Sequence, residues 1–105
     1  FEELLNGYFS SDKPQHIGLP SVAYCADELH LSANYFGDLI KKETGKSAKE
    51  YVQDKIIDTA KNKIFDDDKT VNEIAYELGF KYPQHFSRMF KHETGYTPNE
   101  YRQLN

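Results

Sequence analysis

An internal repeat limits the possible folds of this chain more than any other feature. Residues 22–29 align with residues 71–78, and residues 36–45 align with residues 86–95. The shift between the copies grows by one residue from the first alignment to the second. A turn between two helices can absorb that extra residue without disturbing either helix. We therefore interpret the chain as a duplicated pair of short helices.

The second copy carries signals for where its helices begin and end. Thr70 and Glu73 have the spacing of a capping box, in which two side chains satisfy backbone donors at a helix start. Gly79 is predicted to end that helix in the left-handed conformation, and Pro83 suits the first turn of the next helix. His30 stands at the position of Gly79 in the first copy, and His tolerates positive φ. This pattern is typical of a helix-turn-helix unit, although a generic helical hairpin shares the spacing.

A long helix is predicted between the two copies. Ser47 and Glu50 form a second capping box, and helical spacing of apolar residues continues to Asp66. The run is about 19 residues, or roughly 28 Å long. Successive major-groove faces on one side of B-DNA lie about 34 Å apart. A connector of this length can place two helices in adjacent grooves.

The two ends of the chain complete the predicted organisation. A third capping box, Thr97 and Glu100, begins a C-terminal helix. Residues 10–20 are predicted to be loop. Apolar residues at the start recur with helical spacing, which predicts a helix that braces the first unit or belongs to a linker: Phe1, Leu4, Leu5, Tyr8 and Phe9. We expect four segments, namely an N-terminal helix and loop, a first helix-turn-helix, a bridging helix, and a second helix-turn-helix with a C-terminal helix: 1–20, 21–46, 47–66 and 67–105.

The net charge of -4 at first argues against a nucleic-acid partner. Its distribution matters more than the sum. Residues 1–32 and 65–80 each carry five acidic residues and one Lys, whereas residues 33–64 and 81–105 each have a net charge of +2. The second helix of each copy falls in one of the positive blocks.

The location of the protein is predicted from what the sequence lacks. No apolar run approaches the ~20 residues that span a bilayer, so no membrane partner is expected. The single cysteine, Cys25, cannot form an internal disulfide, which indicates a reducing, cytoplasmic location. Because the chain begins with Phe1 and enters a helical pattern at once, we expect it to be a fragment of a longer protein.

Residues in both copies resemble the pattern of the C-terminal DNA-binding domain of AraC-type transcription regulators. In the second copy these residues are Gly79, Phe80, Phe86, Ser87, Arg88, Phe90, Lys91, Gly95, Thr97, Pro98, Tyr101 and Arg102. In the first copy they are Leu31, Ser32, Tyr35, Phe36, Lys41, Lys42, Gly45 and Tyr51. The resemblance covers roughly residues 20–105. It implies an all-α fold of about seven helices, in which a long helix joins two helix-turn-helix subdomains.

The resemblance also implies a function and partners. Such a domain binds specific sequences in double-stranded promoter DNA to regulate transcription, and is thereby associated with the nucleoid. RNA polymerase and a separate effector or dimerisation domain of the same protein are further expected partners. Two positions depart from the family pattern. Ile56 stands where members often have Arg, so a polar tie between the subdomains is expected to be missing, and Gly37 and Asp38 stand where base-reading side chains are common.

We call the second helix of each copy a reading helix, because it is the candidate that contacts bases. The second reading helix is predicted to offer one polar face opposite the apolar stripe of Phe86 and Phe90. The candidate base readers on it are Gln84, His85, Ser87 and Arg88. Arg88 can hold guanine O6 and N7 with two hydrogen bonds, and Gln84 can do the same for adenine N6 and N7. Lys81 and Lys91 are predicted to contact phosphates, which adds affinity without sequence information.

The first reading helix offers a corresponding but less basic face. Its candidate base readers are Asn34, Tyr35 and Asp38, and its candidate phosphate contacts are Lys41, Lys42 and Lys46. Asn34 can pair with adenine, and Asp38 can accept a hydrogen bond from cytosine N4. Two alternatives remain open at this point, since Asp38 can be an ordinary solvated residue and Tyr35 can pack inside.

Other functions are weaker interpretations. Gly45, Lys46 and Ser47 resemble the end of a phosphate-binding loop, but Ile40 stands where that motif needs Gly. The four His residues and Cys25 lack metal-ligand spacing, and Cys25 is expected to be a buried hydrophobe. Neither an enzyme nor a cofactor is predicted. The serious alternative is a helical protein–protein interaction module that does not bind DNA itself, which the negative net charge and Asp38 favour.

Overall fold

The computed structural model describes residues 2–66 and 68–104, so Phe1, Asp67 and Asn105 lie outside the described residues. Within those ranges the chain forms helices and no strand, which confirms the predicted all-α class. The described helices are α1 (Glu2–Ser10), α2 (Lys13–Ile17), α3 (Val22–Glu28), α4 (Ala33–Thr44), α5 (Ala48–Lys63), α6 (Val71–Leu78), α7 (Pro83–Thr94) and α8 (Pro98–Gln103).

All three predicted capping boxes are confirmed. Ser47, Thr70 and Thr97 each accept a hydrogen bond from the backbone N–H three residues later, and a Glu at that position bonds back to the cap. These caps satisfy donors that a helix start leaves without partners, so they fix where α5, α6 and α8 begin.

The prediction of loop throughout residues 10–20 is wrong, because Lys13–Ile17 form α2. Pro14 lies in its first turn, where a missing N–H breaks no helical hydrogen bond, and its side chain is buried. The helix ends at Gly18, whose N–H donates to the carbonyl of Pro14 at 2.9 Å. Proline was therefore a helix-start signal here as well as at Pro83.

The bridging helix α5 has 16 residues and ends at Lys63, earlier than predicted. At about 1.5 Å per residue it is roughly 24 Å long. The structure shows why the chain turns there. Arg102 of α8 donates from Nε to the carbonyl of Ile64 at 2.6 Å and from Nη2 to that of Lys69 at 2.8 Å. These bonds fix the α5–α6 corner from a point far along the sequence.

The turn between the two helices of each copy has the same hydrogen-bond pattern. His30 has φ of 59° and Gly79 has φ of 103°, as predicted. The N–H one residue later then bonds back across the turn, from Leu31 to Ala26 and from Phe80 to Ala75. This arrangement is the Schellman motif.

The extra residue of the second copy lies in this turn and is Lys81. Ser32 is the N-cap of α4 and Tyr82 is the N-cap of α7, and these two positions align at the longer shift. The motif that ends at Leu31 and at Phe80 aligns at the shorter shift. The insertion thus leaves both helices intact, as the repeat predicted.

The hydrophobic core is built around α5, which contacts α3, α4, α6 and α7. The two reading helices turn equivalent residues into this core: Phe36 and Ile40 from α4, and Phe86 and Phe90 from α7. Cys25 is completely buried, as expected. Ile56, at the position where the resemblance implies Arg, is 2% exposed and packs in the core, so the junction is apolar there.

Candidate nucleic-acid interface

Helix α7 presents its polar face to solvent because its aromatic side chains are buried. Phe86 and Phe90 have no exposed surface, and their rings pack edge to face with centroids 5.7 Å apart. The predicted base readers lie on the other sides of the helix, where Gln84, His85 and Arg88 are exposed and Ser87 is half-buried. Lys91, the predicted phosphate contact, is also exposed. The structure therefore leaves most of this face accessible to solvent.

An aromatic residue that sequence reasoning missed stands at the start of α7. Tyr82, the N-cap, is 46% exposed, and its ring meets the His85 ring edge-on with centroids 5.3 Å apart. The ammonium of Lys81 lies 5.6 Å from the centroid of the Tyr82 ring, close enough for a cation–π contact. The missed signal was an aromatic residue directly before Pro83. The N-terminus of α7 therefore carries a cluster of three side chains: Lys81, Tyr82 and His85.

Helix α4 packs against the core as α7 does, but its N-cap differs from that of α7. Ser32 caps it by accepting from the N–H of Tyr35 at 3.1 Å. The alternative in which Tyr35 packs inside is wrong, because 58% of its surface is exposed. Asn34 and Asp38 are exposed as well. All three candidate base readers of the first copy therefore face solvent.

The lysines of the first copy fall into two groups. Lys41 and Lys42 are exposed in the last turn of α4. Lys46 lies beyond that helix and forms an ion pair with Asp54 of α5. The hydrogen bond to Asp54 is the main reason that the pKa of Lys46 is raised above its usual value. A phosphate at Lys46 would have to compete with this carboxylate.

The two reading helices differ in charge. Between Pro83 and Thr94, α7 carries two basic side chains and one acidic one, whereas α4 carries two of each. Asp38 is the acidic residue on the candidate reading face of α4. Phosphate attraction should therefore be stronger around the second reading helix than around the first.

Two other features, a membrane-spanning helix and a metal-binding cluster, are absent from the described residues. Across residues 2–66 and 68–104, no helix combines the length and apolarity needed to cross a membrane. In the same part of the chain, no three His, Cys, Asp or Glu side chains come together in a way that could hold a metal ion.

Comparisons with known proteins identify the family. A family model described as a helix-turn-helix domain matches residues 25–104. The uncharacterized HTH-type transcriptional regulator YtdP of Bacillus subtilis is 41% identical over 78 residues, which cover 74% of this chain and 10% of that protein. The chain belongs to the AraC-type helix-turn-helix family of DNA-binding transcription regulators. YesN, an uncharacterized transcriptional regulatory protein of the same organism, is 40% identical over 78 residues, or 72% of this chain and 21% of that protein.

Solved structures share the fold across both units of this AraC-type domain. The C-terminal domain of the response regulator yesN from Fusobacterium nucleatum superimposes with a TM-score of 0.77 at 25% identity, covering 96% of each chain. The C-terminal domain of AraT, a response regulator from Geobacillus stearothermophilus, has a TM-score of 0.82 at 24% identity, covering 99% of this chain and 81% of that one. This AraC-type domain spans only a small part of the two curated regulators named above.

Proposed function

We propose that this AraC-type domain places α4 and α7 in successive major grooves on one side of a promoter duplex. The observation that carries the proposal is that each helix buries its apolar stripe and leaves the opposite, polar face in solvent. The connector α5 is roughly 24 Å long, and each reading helix is about 10 Å thick. If the reading helices flank α5, their axes lie about one turn of B-DNA apart, which is about 34 Å.

Sequence recognition is proposed to come mainly from α7. Arg88 and Gln84 have the side chains that form paired hydrogen bonds with guanine and adenine in the major groove. His85 and Ser87 are proposed to read neighbouring positions. On α4 the proposed readers are Asn34, Tyr35 and Asp38, of which Asp38 reads cytosine at the expense of repulsion from nearby phosphates.

Phosphate contacts are proposed for the exposed lysines near the two reading helices. Lys41 and Lys42 serve the first unit (residues 21–46), and Lys81 and Lys91 serve the second unit (residues 67–105). Lys46 is proposed as the weakest of the set because Asp54 already pairs with it. These contacts hold the domain in register on the duplex without selecting a sequence.

A solved structure with the same fold supports the proposed arrangement. The DNA-binding domain of AdpA, determined in complex with a target DNA, superimposes with a TM-score of 0.76, covering 98% of this chain and 90% of that one. Its identity of 19% limits the comparison to the fold. Since both units are included in the superposition, their mutual placement resembles that of a domain that has bound DNA.

The wider role is also proposed. The domain acts by binding rather than by catalysis, in a cytoplasmic, nucleoid-associated protein. RNA polymerase and an effector or dimerisation domain of the same protein are its proposed partners. The working division of the chain is an N-terminal segment, two helix-turn-helix units and the bridging segment between them: 1–20, 21–46, 67–105 and 47–66.

Selection of binding sites from random duplex DNA tests this function. The expected result is a site with two half-sites in the same direction, about 10 base pairs apart, and an affinity that falls steeply with salt. Selection of a single half-site would refute the two-groove arrangement. No enrichment, together with a shallow salt dependence on any duplex, would favour the protein–protein interaction module instead.

A further inference from the structure

A contact between the N-terminal segment (residues 1–20) and the second unit involves two glycines that lie far apart in sequence. Gly79 is the C-cap of α6, in the turn that leads to α7. A Cβ placed on Gly79 would lie 2.6 Å from the carbonyl carbon of Gly18, 2.7 Å from its oxygen and 2.8 Å from the N of Leu19. The peptide that joins Gly18 to Leu19 therefore packs directly against the turn of the second unit.

Gly18 is held on both sides by hydrogen bonds, one from its N–H and one to its carbonyl oxygen. The N–H of Gly18 donates to the carbonyl of Pro14 at 2.9 Å, which ties it to the end of α2. The hydroxyl of Tyr8, on α1, donates to the carbonyl oxygen of Gly18 at 2.5 Å. Tyr8 is 3% exposed, and burial raises its pKa, so the hydroxyl keeps its proton and remains a donor.

The held peptide connects the two units. After Gly18 the chain runs through Leu19 and the buried Pro20 to Ser21, the N-cap of α3 in the first unit. On the other side, α2 packs along α6, the first helix of the second unit. The same short segment thus touches the start of one helix-turn-helix and the turn of the other. A change in the separation of the two units would therefore alter the contacts of this segment with at least one of them.

We propose that Tyr8 is a positioning residue for DNA binding: by holding the Gly18 carbonyl against the Gly79 turn, it fixes the spacing between the two reading helices. The inference rests on the proposed two-groove function. It assigns to α1 and α2 a role in selecting the distance between half-sites, which no base or phosphate contact can supply alone.

The test compares Tyr8→Phe with Tyr24→Phe. Tyr8→Phe removes only the hydroxyl and keeps the ring in its packing with Phe9 and Tyr24. Tyr24→Phe is the matched control, because the neighbouring Tyr24 hydroxyl accepts a hydrogen bond from the exposed Lys13 ammonium, at 3.4 Å. The affinities of both variants and wild type are measured on three duplexes: the selected site, the same site with one or two base pairs inserted between half-sites, and the second half-site alone.

In wild type, the affinity ratio between the correctly spaced and the respaced duplex measures spacing selectivity. Tyr8→Phe is expected to lower this ratio about fivefold, the scale of one lost hydrogen bond, and to leave binding to the single half-site unchanged. Tyr24→Phe should match wild type on all three duplexes. An unchanged ratio in Tyr8→Phe, or an equal loss on all three duplexes, would overturn the proposal. A wild type with no preference between the first two duplexes would instead contradict the proposed two-groove function.

A distance measurement without DNA examines the same positioning independently. Glu43→Cys and Glu93→Cys place spin labels at equivalent exposed positions of α4 and α7. Cys25 does not interfere, because it is buried and burial raises its pKa to about 11, which keeps the thiol protonated and unreactive. The distribution of label distances is expected to broaden in Tyr8→Phe and not in Tyr24→Phe. Identical narrow distributions in both would show that Tyr8 does not set the separation.

Discussion

The first and second units have the same framework and different exposed surfaces. In both units a Schellman motif ends the first helix, and two buried apolar residues anchor the second helix to the core. A threonine at the end of the second helix donates its hydroxyl hydrogen bond to a nearby backbone carbonyl. Thr44 bonds to the carbonyl of Ile40 at 2.7 Å, and Thr94 bonds to that of Phe90 at 2.8 Å. These features recur in both copies, whereas the N-caps differ, since Ser32 caps α4 with its hydroxyl and Tyr82 makes no side-chain cap bond to α7.

The differences lie where side chains meet solvent or the other unit. Arg88 occupies the reading face of α7 at the position where α4 has Asp38. The turn of the second unit contains Lys81, which the first unit lacks, and Gly79 in place of His30. The comparison teaches that the same helix-turn-helix framework can position two kinds of reading helix, a basic one and a neutral one.

Gly79→Ala should have the largest effect. The new Cβ meets backbone atoms that cannot rotate away, and Ala is strained at φ of 103°. We expect the free energy of unfolding to fall by about 3 kcal/mol, measured by chemical denaturation. His30→Ala, at the equivalent exposed position, should lose less than about 1 kcal/mol. Equal losses in the free energy of unfolding would show that the close packing of Gly79 against Gly18 does not distinguish the two turns.

Arg88→Ala should weaken binding to the selected site by about 1–3 kcal/mol and relax the preference at one base pair. Asp38→Ala should relax the preference at the base pair that Asp38 reads and should lower affinity less than Arg88→Ala does, since it also removes a negative charge near the phosphates. Fluorescence anisotropy with the selected site and its single-base variants measures both effects. Wild-type affinity in Arg88→Ala would refute its base-reading role and erase the contrast between the reading helices.

Lys41→Ala and Lys91→Ala compare equivalent phosphate contacts of the two units. Each should weaken binding to all sequences alike and reduce the slope of log affinity against log salt by about one. Lys46→Ala should change the slope less, because Asp54 already partners its ammonium. A salt titration on the selected site and on an unrelated duplex checks all three. If Lys91→Ala instead changed the preferred sequence, its side chain would have to be reassigned to a base.

Gly37→Ala should have the smallest effect, and it should be stabilising. Gly37 lies inside α4, and a Cβ there would meet nothing within 4 Å. Ala removes the entropic penalty of Gly in a helix, so the free energy of unfolding should rise by about 0.5–1 kcal/mol. Thermal unfolding measures it. The matched variant is Ser87→Gly at the equivalent position of α7, which should lose a similar amount; a loss in Gly37→Ala would mean that α4 needs its flexibility.

The parts of the fold that the sequence predicted are those with local causes. Thr70 and Glu73 lie three residues apart and act on the same helix start, so their spacing was sufficient to predict the cap. The misses have distant causes. The end of α5 depends on Arg102, 38 residues beyond Ile64, and the contact of Gly18 with Gly79 joins segments with no shared pattern.

In the candidate site, too, features with a local cause could be predicted and features with a distant cause could not. Burial of Phe86 and Phe90 followed from their spacing, and so the exposure of Arg88 on the other side could be predicted. Tyr82 was missed because a residue that caps a helix without a side-chain hydrogen bond carries no capping signal. The pairing of Lys46 with Asp54 was missed because an ion pair between a residue in a turn and one on a helix has no characteristic spacing.

The hold of Arg102 on the α5–α6 corner has a consequence for how the second unit opens. These hydrogen bonds close a loop of the chain that runs from residue 64 to residue 102. Helices α6 and α7 belong to that loop. Fraying of either helix alone leaves the closure intact, whereas release of the closure exposes both together. Amide protons in the middle of α6 and α7 should therefore exchange through one shared opening event, as a single cooperative folding unit.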